Sequence, residues 1–147
     1  DRVMWHANIA GQGVLSQYAK VPNFAVSVLP DNVTASDAAT LPCAGMTALI
    51  ALEKLQVSQG DTMLIEAGAG AVGQFAIQFA KQRGADVFTT ASKKNHKLVK
   101  SLGADAVFDY NDNFCINDPN PIPNITPTST GTYMVDNVAI CTVSTMA

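Results

Sequence analysis

The clearest alternation of apolar and polar positions lies in the middle of the chain. Thr62-Met63-Leu64-Ile65-Glu66 is a short apolar run of the kind that forms a buried strand. After it, Val72, Phe75, Ala76, Phe79 and Ala80 recur at i, i+3, i+4, i+7 and i+8, the spacing of an amphipathic helix. Lys81 and Arg83 fall in the last turn with Gly84 just beyond. That suits a helix end, where cations meet the negative pole and glycine takes the left-handed cap. Residues 86–90 (DVFTT) predict a second strand, 94–102 a second helix closed by Gly103, and 106–110 (AVFDY) a third strand. Strand-helix-strand-helix-strand with short connections predicts a parallel sheet with right-handed crossovers, an α/β core.

The flanks are less periodic. Residues 2–6, 14–20 and 25–29 are β-prone, and Gly11, Gly13 and Pro22 punctuate them. Residues 35–55 predict helix: Met46, Leu49 and Ile50 stand three and four apart, with Leu52 and Leu55 beyond, and Pro42 suits a first turn. No period runs through 111–131, where four of the seven prolines crowd between Asp118 and Thr128. Residues 133–138 (YMVDNV) are the candidate fourth strand. The organisation expected is therefore a β-like opening over 1–30 and an α/β domain over 31–147, loop-rich at 111–131.

Composition narrows the class. With 48% apolar and 14% charged residues the chain is not disordered. Nine basic against twelve acidic residues give −3, no general case for nucleic acid or an anionic membrane. No apolar run approaches a membrane span, and no signal peptide is visible. The three cysteines, Cys43, Cys115 and Cys141, stand too far apart for a zinc ribbon and argue against a disulfide framework. The chain opens on Asp1-Arg2-Val3 without Met and stops at Met146-Ala147, so we expect a piece of a longer protein.

Gly68-Ala69-Gly70-Ala71-Val72-Gly73 is a complete G-x-G-x-x-G placed after a strand and opening a helix. On that reading Gly68 allows the tight turn, Gly70 lets a pyrophosphate reach the backbone, and Gly73 lets the helix pack closely. The helix start offers free amides and positive partial charge to phosphates. A plain strand-helix turn, or a loop for S-adenosylmethionine, would use similar residues. The end of the second strand bears on which dinucleotide is held. An NAD site places Asp or Glu there for the ribose 2′-hydroxyl. This chain has Thr89, Thr90, Ala91 and Ser92, then Lys93 and Lys94. A hydroxyl and two ammonium groups suit a 2′-phosphate, so NADP(H) is the expected cofactor. The bland alternative is that Lys93, Lys94, Lys97 and Lys100 form a solvated helix face. Tyr110, closing the third strand, is placed to stack on adenine or reach the 2′-phosphate, or is ordinary core edge.

Together these pieces resemble the medium-chain dehydrogenase/reductase superfamily, nearest to its quinone oxidoreductase-like and zinc-type alcohol dehydrogenase-like branches. The stretches that carry the likeness are Leu41-Pro42-Cys43-Ala44-Gly45-Met46-Thr47-Ala48, the glycine loop with Gln78-Phe79-Ala80-Lys81, Thr90-Ala91-Ser92, Leu102-Gly103-Ala104-Asp105 and Asp109-Tyr110. They cover roughly residues 1–110. The resemblance implies a Rossmann-type doubly wound sheet, with residues 1–30 a remnant of a GroES-like β domain whose remainder would precede Asp1. It implies NADPH-dependent hydride transfer to a quinone or α,β-unsaturated carbonyl in a cytoplasmic enzyme, with homodimers formed by full-length relatives. It implies that Thr47 lies by the nicotinamide and orients it, although a helix-packing threonine fits too. Cys43 aligns with a catalytic-zinc ligand of the zinc branch, but one cysteine makes no site, and no structural-zinc cysteines stand between Val3 and Gln17. No metal is therefore expected. A zinc-dependent alcohol dehydrogenase using Cys43 and a non-catalytic NADPH-binding module are the alternatives. Little turnover is expected of this chain by itself. Three departures stand out: Asn95 where many relatives have Lys, Ala139 where a Gly is usual, and the Pro- and Asn-rich 118–131 in place of a helix.

Overall fold

In the computed structural model of the chain, which describes residues 1–6, 11, 13–111, 126–127, 133–134 and 138–141, the β-prone opening forms one antiparallel pair. Val3–Trp5 (β1) lies against Val26–Val28 (β2), with Met4 opposite Ser27. The middle β-prone stretch, 14–20, is not a strand. Ser16 folds back on itself instead, its amide donating to Val14 O (2.9 Å) and its hydroxyl to Tyr18 O (2.7 Å). Such local bonds compete with ladder formation, and Leu15 and Tyr18 are left exposed.

The helix predicted over 35–55 is broken into three. Ala35–Ala39 (α1) is capped by Thr34, whose hydroxyl oxygen accepts from the Asp37 amide at 3.1 Å. Leu41–Gly45 is a single π-helical turn, and Met46–Lys54 (α2) follows. Pro42 sits in the first positions of the wide turn, where its missing N–H costs little and where it blocks continuation from α1. Of the predicted apolar stripe, only Leu52 is buried as expected. Ala48 and Leu52 are fully buried, whereas Met46, Leu49, Ile50 and Leu55 remain exposed. The chain forms two compact units, the first ending at Met46 and the second beginning at Thr47.

The second unit is built as its periodicity predicts. Thr62–Ile65 (β3), Asp86–Thr90 (β4) and Ala106–Phe108 (β5) are parallel neighbours, Leu64 lying opposite Phe88 and Phe88 opposite Ala106. Between them run Ala71–Gln82 (α3) and, after a 3₁₀ turn over Lys93–Asn95, His96–Ser101 (α4). Ala76, Ile77 and Ala80 of α3 enter a dry core with Leu52, Met63, Ile65, Val87 and Val99, while Val72, Phe75 and Phe79 pack at its margin. Gly84 and Gly103 close the two helices at φ 82° and 111°, a conformation that favours glycine.

The fourth strand of the sheet lies later than 133–138. Thr126–Pro127 (β6) and Tyr133–Met134 (β7) form a small antiparallel pair, and Val138–Cys141 (β8) runs parallel to β3. Val138-Ala139-Ile140-Cys141 is an uninterrupted apolar run suited to a parallel strand, whereas Asp136 and Asn137 disfavour a ladder. The rest of the loop-rich 111–131 falls outside the described residues beyond Asn111 and β6. The sheet order is β5-β4-β3-β8. Successive strands step one way from β3, then the chain returns to its other side. Open α/β sheets hold ligands at such a reversal, by the carboxyl ends of the strands, which here is the end of β3.

Lys81 ties α3 to the sheet through a short ion pair with Asp105, with Asp86 of β4 farther off at 3.9 Å. Lys81 Nζ donates to both Asp105 oxygens (2.8 and 3.1 Å), and Asp105 Oδ2 also accepts from the amide of buried Val87 at 2.6 Å. Burial pushes this carboxyl up, but the Lys81 hydrogen bond, the Val87 amide and the Lys81 charge outweigh it and hold it below its ordinary 3.8. The unfolded chain therefore binds more protons in that range, so the contribution is complete above the ordinary value and is lost as pH falls through the folded one. Asp105→Asn is expected to cost about 1 kcal/mol at neutral pH, kept modest by solvent exposure, and to flatten the acid limb of the stability curve. Urea midpoints collected from neutral to acid pH check this. An unchanged acid limb would remove the linkage.

Candidate functional site

The site begins where β3 ends. Ala67 takes φ 53°, a left-handed conformation uncommon for a residue with a side chain. Its amide donates to Thr90 Oγ1 and the Gly68 amide to Thr90 O, both at 3.0 Å, so the loop is tied to the end of β4. The turn closes with the Gly70 amide donating to Ala67 O at 2.8 Å, so Gly68 and Ala69 are its central residues and Ala67 takes the left-handed conformation at its start. Gly68 is needed for space: a Cβ there would overlap Thr89 Oγ1 and stand 3.0 Å from Ile77 Cδ1. That threonine is fully buried and donates to Ile65 O at 2.6 Å.

Gly70 is the N-cap of α3 in extended conformation, and a Cβ there would meet only Ala67 O, at 3.1 Å. Its outer face is open to a ligand, as a pyrophosphate cradle requires. Gly73 lies in the first turn of α3, where a Cβ would stand 2.5 Å from Ala67 O and 2.8 Å from Gly68 Cα. The helix is seated on the loop's own backbone, the close packing expected, although against the loop rather than the strand. The first helical bond runs from Gln74 N to Gly70 O (2.9 Å), so the amides of Ala71, Val72 and Gly73 have no acceptor within the helix. No side chain caps this end, and no acidic residue lies in its first turn. The positive pole of a twelve-residue helix therefore lies by the carboxyl end of β3 without an acidic residue in its first turn.

The second wall is the turn after β4. Ala91 N donates to Phe108 O at 2.9 Å, and the His96 ring bonds Ala91 O at 3.0 Å. Asn95 closes on Ser92, amide to carbonyl at 2.8 Å and Nδ2 to Oγ at 3.3 Å. Ser92 is half-buried, and Lys93 and Lys94 are exposed. Tyr110 is 65% exposed just past the end of β5. The structure thus brings residues 68–73, Ser92, Lys93, Lys94 and Tyr110 to the carboxyl edge of one sheet. Thr47 is exposed in the first turn of α2, beside Ala48, which shares the core with Ile65.

One residue here escapes the sequence reading. That reading places no carboxylate beside the β4 turn, yet Asp109 reaches it from β5. Its Oδ2 accepts from Lys93 N at 3.0 Å, and its Oδ1 accepts from Asn111 N and Asn111 Nδ2, each at 2.8 Å. The Asn111 amide, opposed by burial and aided by the Asn111 side chain and by Lys93, holds this carboxyl below the usual range. Asp-x-Asn after a strand is an Asx-turn signature, the one signal of this arrangement in the sequence.

Cys43 is exposed and lines a cavity of about 610 Å³ in the first unit with Met4, Trp5, Ala38 and Pro42. Among the described residues no three His, Cys, Asp or Glu side chains are grouped to hold a metal. Zinc needs three or four such donors, and Cys43 by itself supplies one. The glycine loop does fit a dinucleotide, on the open face of Gly70 and the uncapped α3. Among the described residues no helix is long and apolar enough to cross a membrane.

A family model described as zinc-binding dehydrogenase matches residues 71–143. The trans-enoyl reductase tazE of Aspergillus terreus is 42% identical over 108 residues, covering 68% of this chain and 36% of that protein. The chloroplast envelope quinone oxidoreductase homolog of Arabidopsis thaliana is 39% identical over 116 residues, covering 75% and 35%. The quinone oxidoreductase of Thermus thermophilus, solved also in complex with NADPH, superposes with a TM-score of 0.64 at 35% identity, over 68% of this chain and 34% of that one. The chain spans about a third of the length of these relatives. The parallel sheet with its reversed strand order, the glycine loop at the reversal and these likenesses agree: the chain belongs to the medium-chain dehydrogenase/reductase superfamily.

Proposed function

We propose that the chain is the coenzyme-binding part of an NADPH-dependent reductase acting on a quinone or an α,β-unsaturated carbonyl. The observation that carries this reading is the uncapped amino end of α3 above the open face of Gly70, with Ser92, Lys93 and Lys94 at the end of the adjacent strand. The amides of Ala71, Val72 and Gly73 bind the pyrophosphate, assisted by the helix dipole, which is worth about 0.3–1 kcal/mol for an exposed anion. Ser92 and the two lysines receive the 2′-phosphate, and Tyr110 flanks the adenine. Thr47 orients the nicotinamide through its hydroxyl. When bound, the coenzyme supplies a hydride, and the protein's part is to position it. The relatives named as enoyl reductase and quinone oxidoreductase support the substrate class, and the NADPH complex of the Thermus enzyme supports the cofactor.

Calorimetric titration with NADPH and NADH at one moderate salt concentration tests the reading. Tighter binding of NADPH is expected. Equal binding, or none by a chain whose circular dichroism shows it folded, overturns it. NADPH oxidation with quinones, enones and ketones, assayed in protein of the relatives' full length, then tests the chemistry. Binding without reduction of any of them would make the protein a coenzyme-binding module.

A further inference from the structure

We propose that Asp109 is a positioning residue for coenzyme selection: through the main-chain amide of Lys93 its carboxylate fixes the turn that carries Ser92, Lys93 and Lys94 toward a 2′-phosphate. The inference rests on the NADPH reading above and deepens it. Asp109 is only 6% exposed, and a carboxylate is buried to that extent only where hydrogen bonds replace water. Here the replacements are amides. One oxygen holds Lys93 N, and the other holds Asn111 through its main chain and its side chain. The bond to Lys93 crosses from β5 to the turn after β4. It joins the Phe108 carbonyl, which takes the Ala91 amide, in clamping both sides of Ser92.

Two exposed lysines on a free turn would lose much of their attraction for a phosphate to side-chain and backbone entropy. A turn held at the amide of Lys93 has lost that freedom before the ligand arrives. The same bonds explain why a carboxylate beside this turn is compatible with NADPH. Both oxygens already accept hydrogen bonds, and Lys93 compensates the charge. A free Asp at this place would instead accept from a ribose 2′-hydroxyl and repel its phosphate.

The test measures NADPH and NADH affinities of the 147-residue chain and of its Asp109→Asn, Asp109→Ala, Lys93→Ala and Asp109→Ala/Lys93→Ala variants, with thermal melts alongside. Asp109→Ala is expected to weaken NADPH about tenfold while NADH changes less than about twofold, and Asp109→Asn, which keeps the shape, to fall between. The double variant should lose more NADPH affinity than Lys93→Ala, because the amide of residue 93 survives that substitution and its bond to Asp109 still holds Ser92 and Lys94. Equal loss of both coenzymes would make Asp109 merely structural and overturn the proposal. So would a double variant no weaker than Lys93→Ala, unchanged affinities, or a gain in NADPH preference. A parent chain with no NADPH preference would overturn the NADPH reading, and this inference with it. A parent that prefers NADPH beside an indifferent Asp109→Ala would overturn this inference alone.

Discussion

Replacing Gly73 by alanine is expected to destabilise the chain by about 2–3 kcal/mol, the upper part of the range for overpacking a close contact. The new methyl group would stand 2.5 Å from Ala67 O and 2.8 Å from Gly68 Cα. Both are backbone atoms, so no rotamer change relieves the clash. The loop cannot rise to make room without breaking its bonds to Thr90. Gly70→Ala is the informative contrast. Its methyl group would touch only Ala67 O at 3.1 Å, so stability should change by less than about 1 kcal/mol. Coenzyme binding should nonetheless fall, because the methyl group fills the face a pyrophosphate would approach. Urea denaturation and coenzyme titration of the two variants check the pair. Equal destabilisation by both would mean that the loop is looser than the geometry shows.

Removing both lysines of the β4 turn, Lys93→Ala with Lys94→Ala, should weaken NADPH binding about 10- to 100-fold near 0.1 M salt and leave NADH almost unchanged. The two ammonium groups are exposed, which keeps the expected loss below that of a buried pair. The parent's NADPH affinity should also fall with added salt more steeply than the double variant's. Titrations at two salt concentrations separate charge from shape. A parallel loss of NADH would show that the turn had collapsed, and an unchanged NADPH affinity would return the lysines to a solvated helix face.

What could be read from the sequence was local. The α3 stripe from Val72 to Ala80 runs over about two and a half turns and Gly84 closes the helix, so both period and boundary were visible. The helix expected over 35–55 failed at Pro42, whose effect depended on whether the turn around it could widen into a π-helix. On α2, Met46, Leu49 and Ile50 have the right spacing for a buried stripe, yet of the expected positions only Leu52 reaches the core, beside small Ala48. Spacing identifies a face but not what packs against it. The glycine loop, Ser92 and the lysines were legible because each sits at the end of an element that the pattern had already placed. Asp109 was not, because its bond to Lys93 joins residues sixteen apart across two strands. The β8 pairing likewise depends on a return across the sheet that no local period encodes.

The contact between Gly68 and Thr89 constrains how this sequence can drift. The two positions share a single side chain's worth of volume, and Thr89 occupies it with a hydroxyl that also satisfies Ile65 O. A side chain can appear at 68 only after 89 has shrunk, and shrinking 89 first leaves a gap and removes the Ile65 carbonyl's hydroxyl donor. Each order of steps passes through an impaired intermediate. The glycine is therefore held in place by the neighbouring strand even in a descendant that no longer needs to bind anything, and a glycine at 68 is weaker testimony to retained function than one at 70.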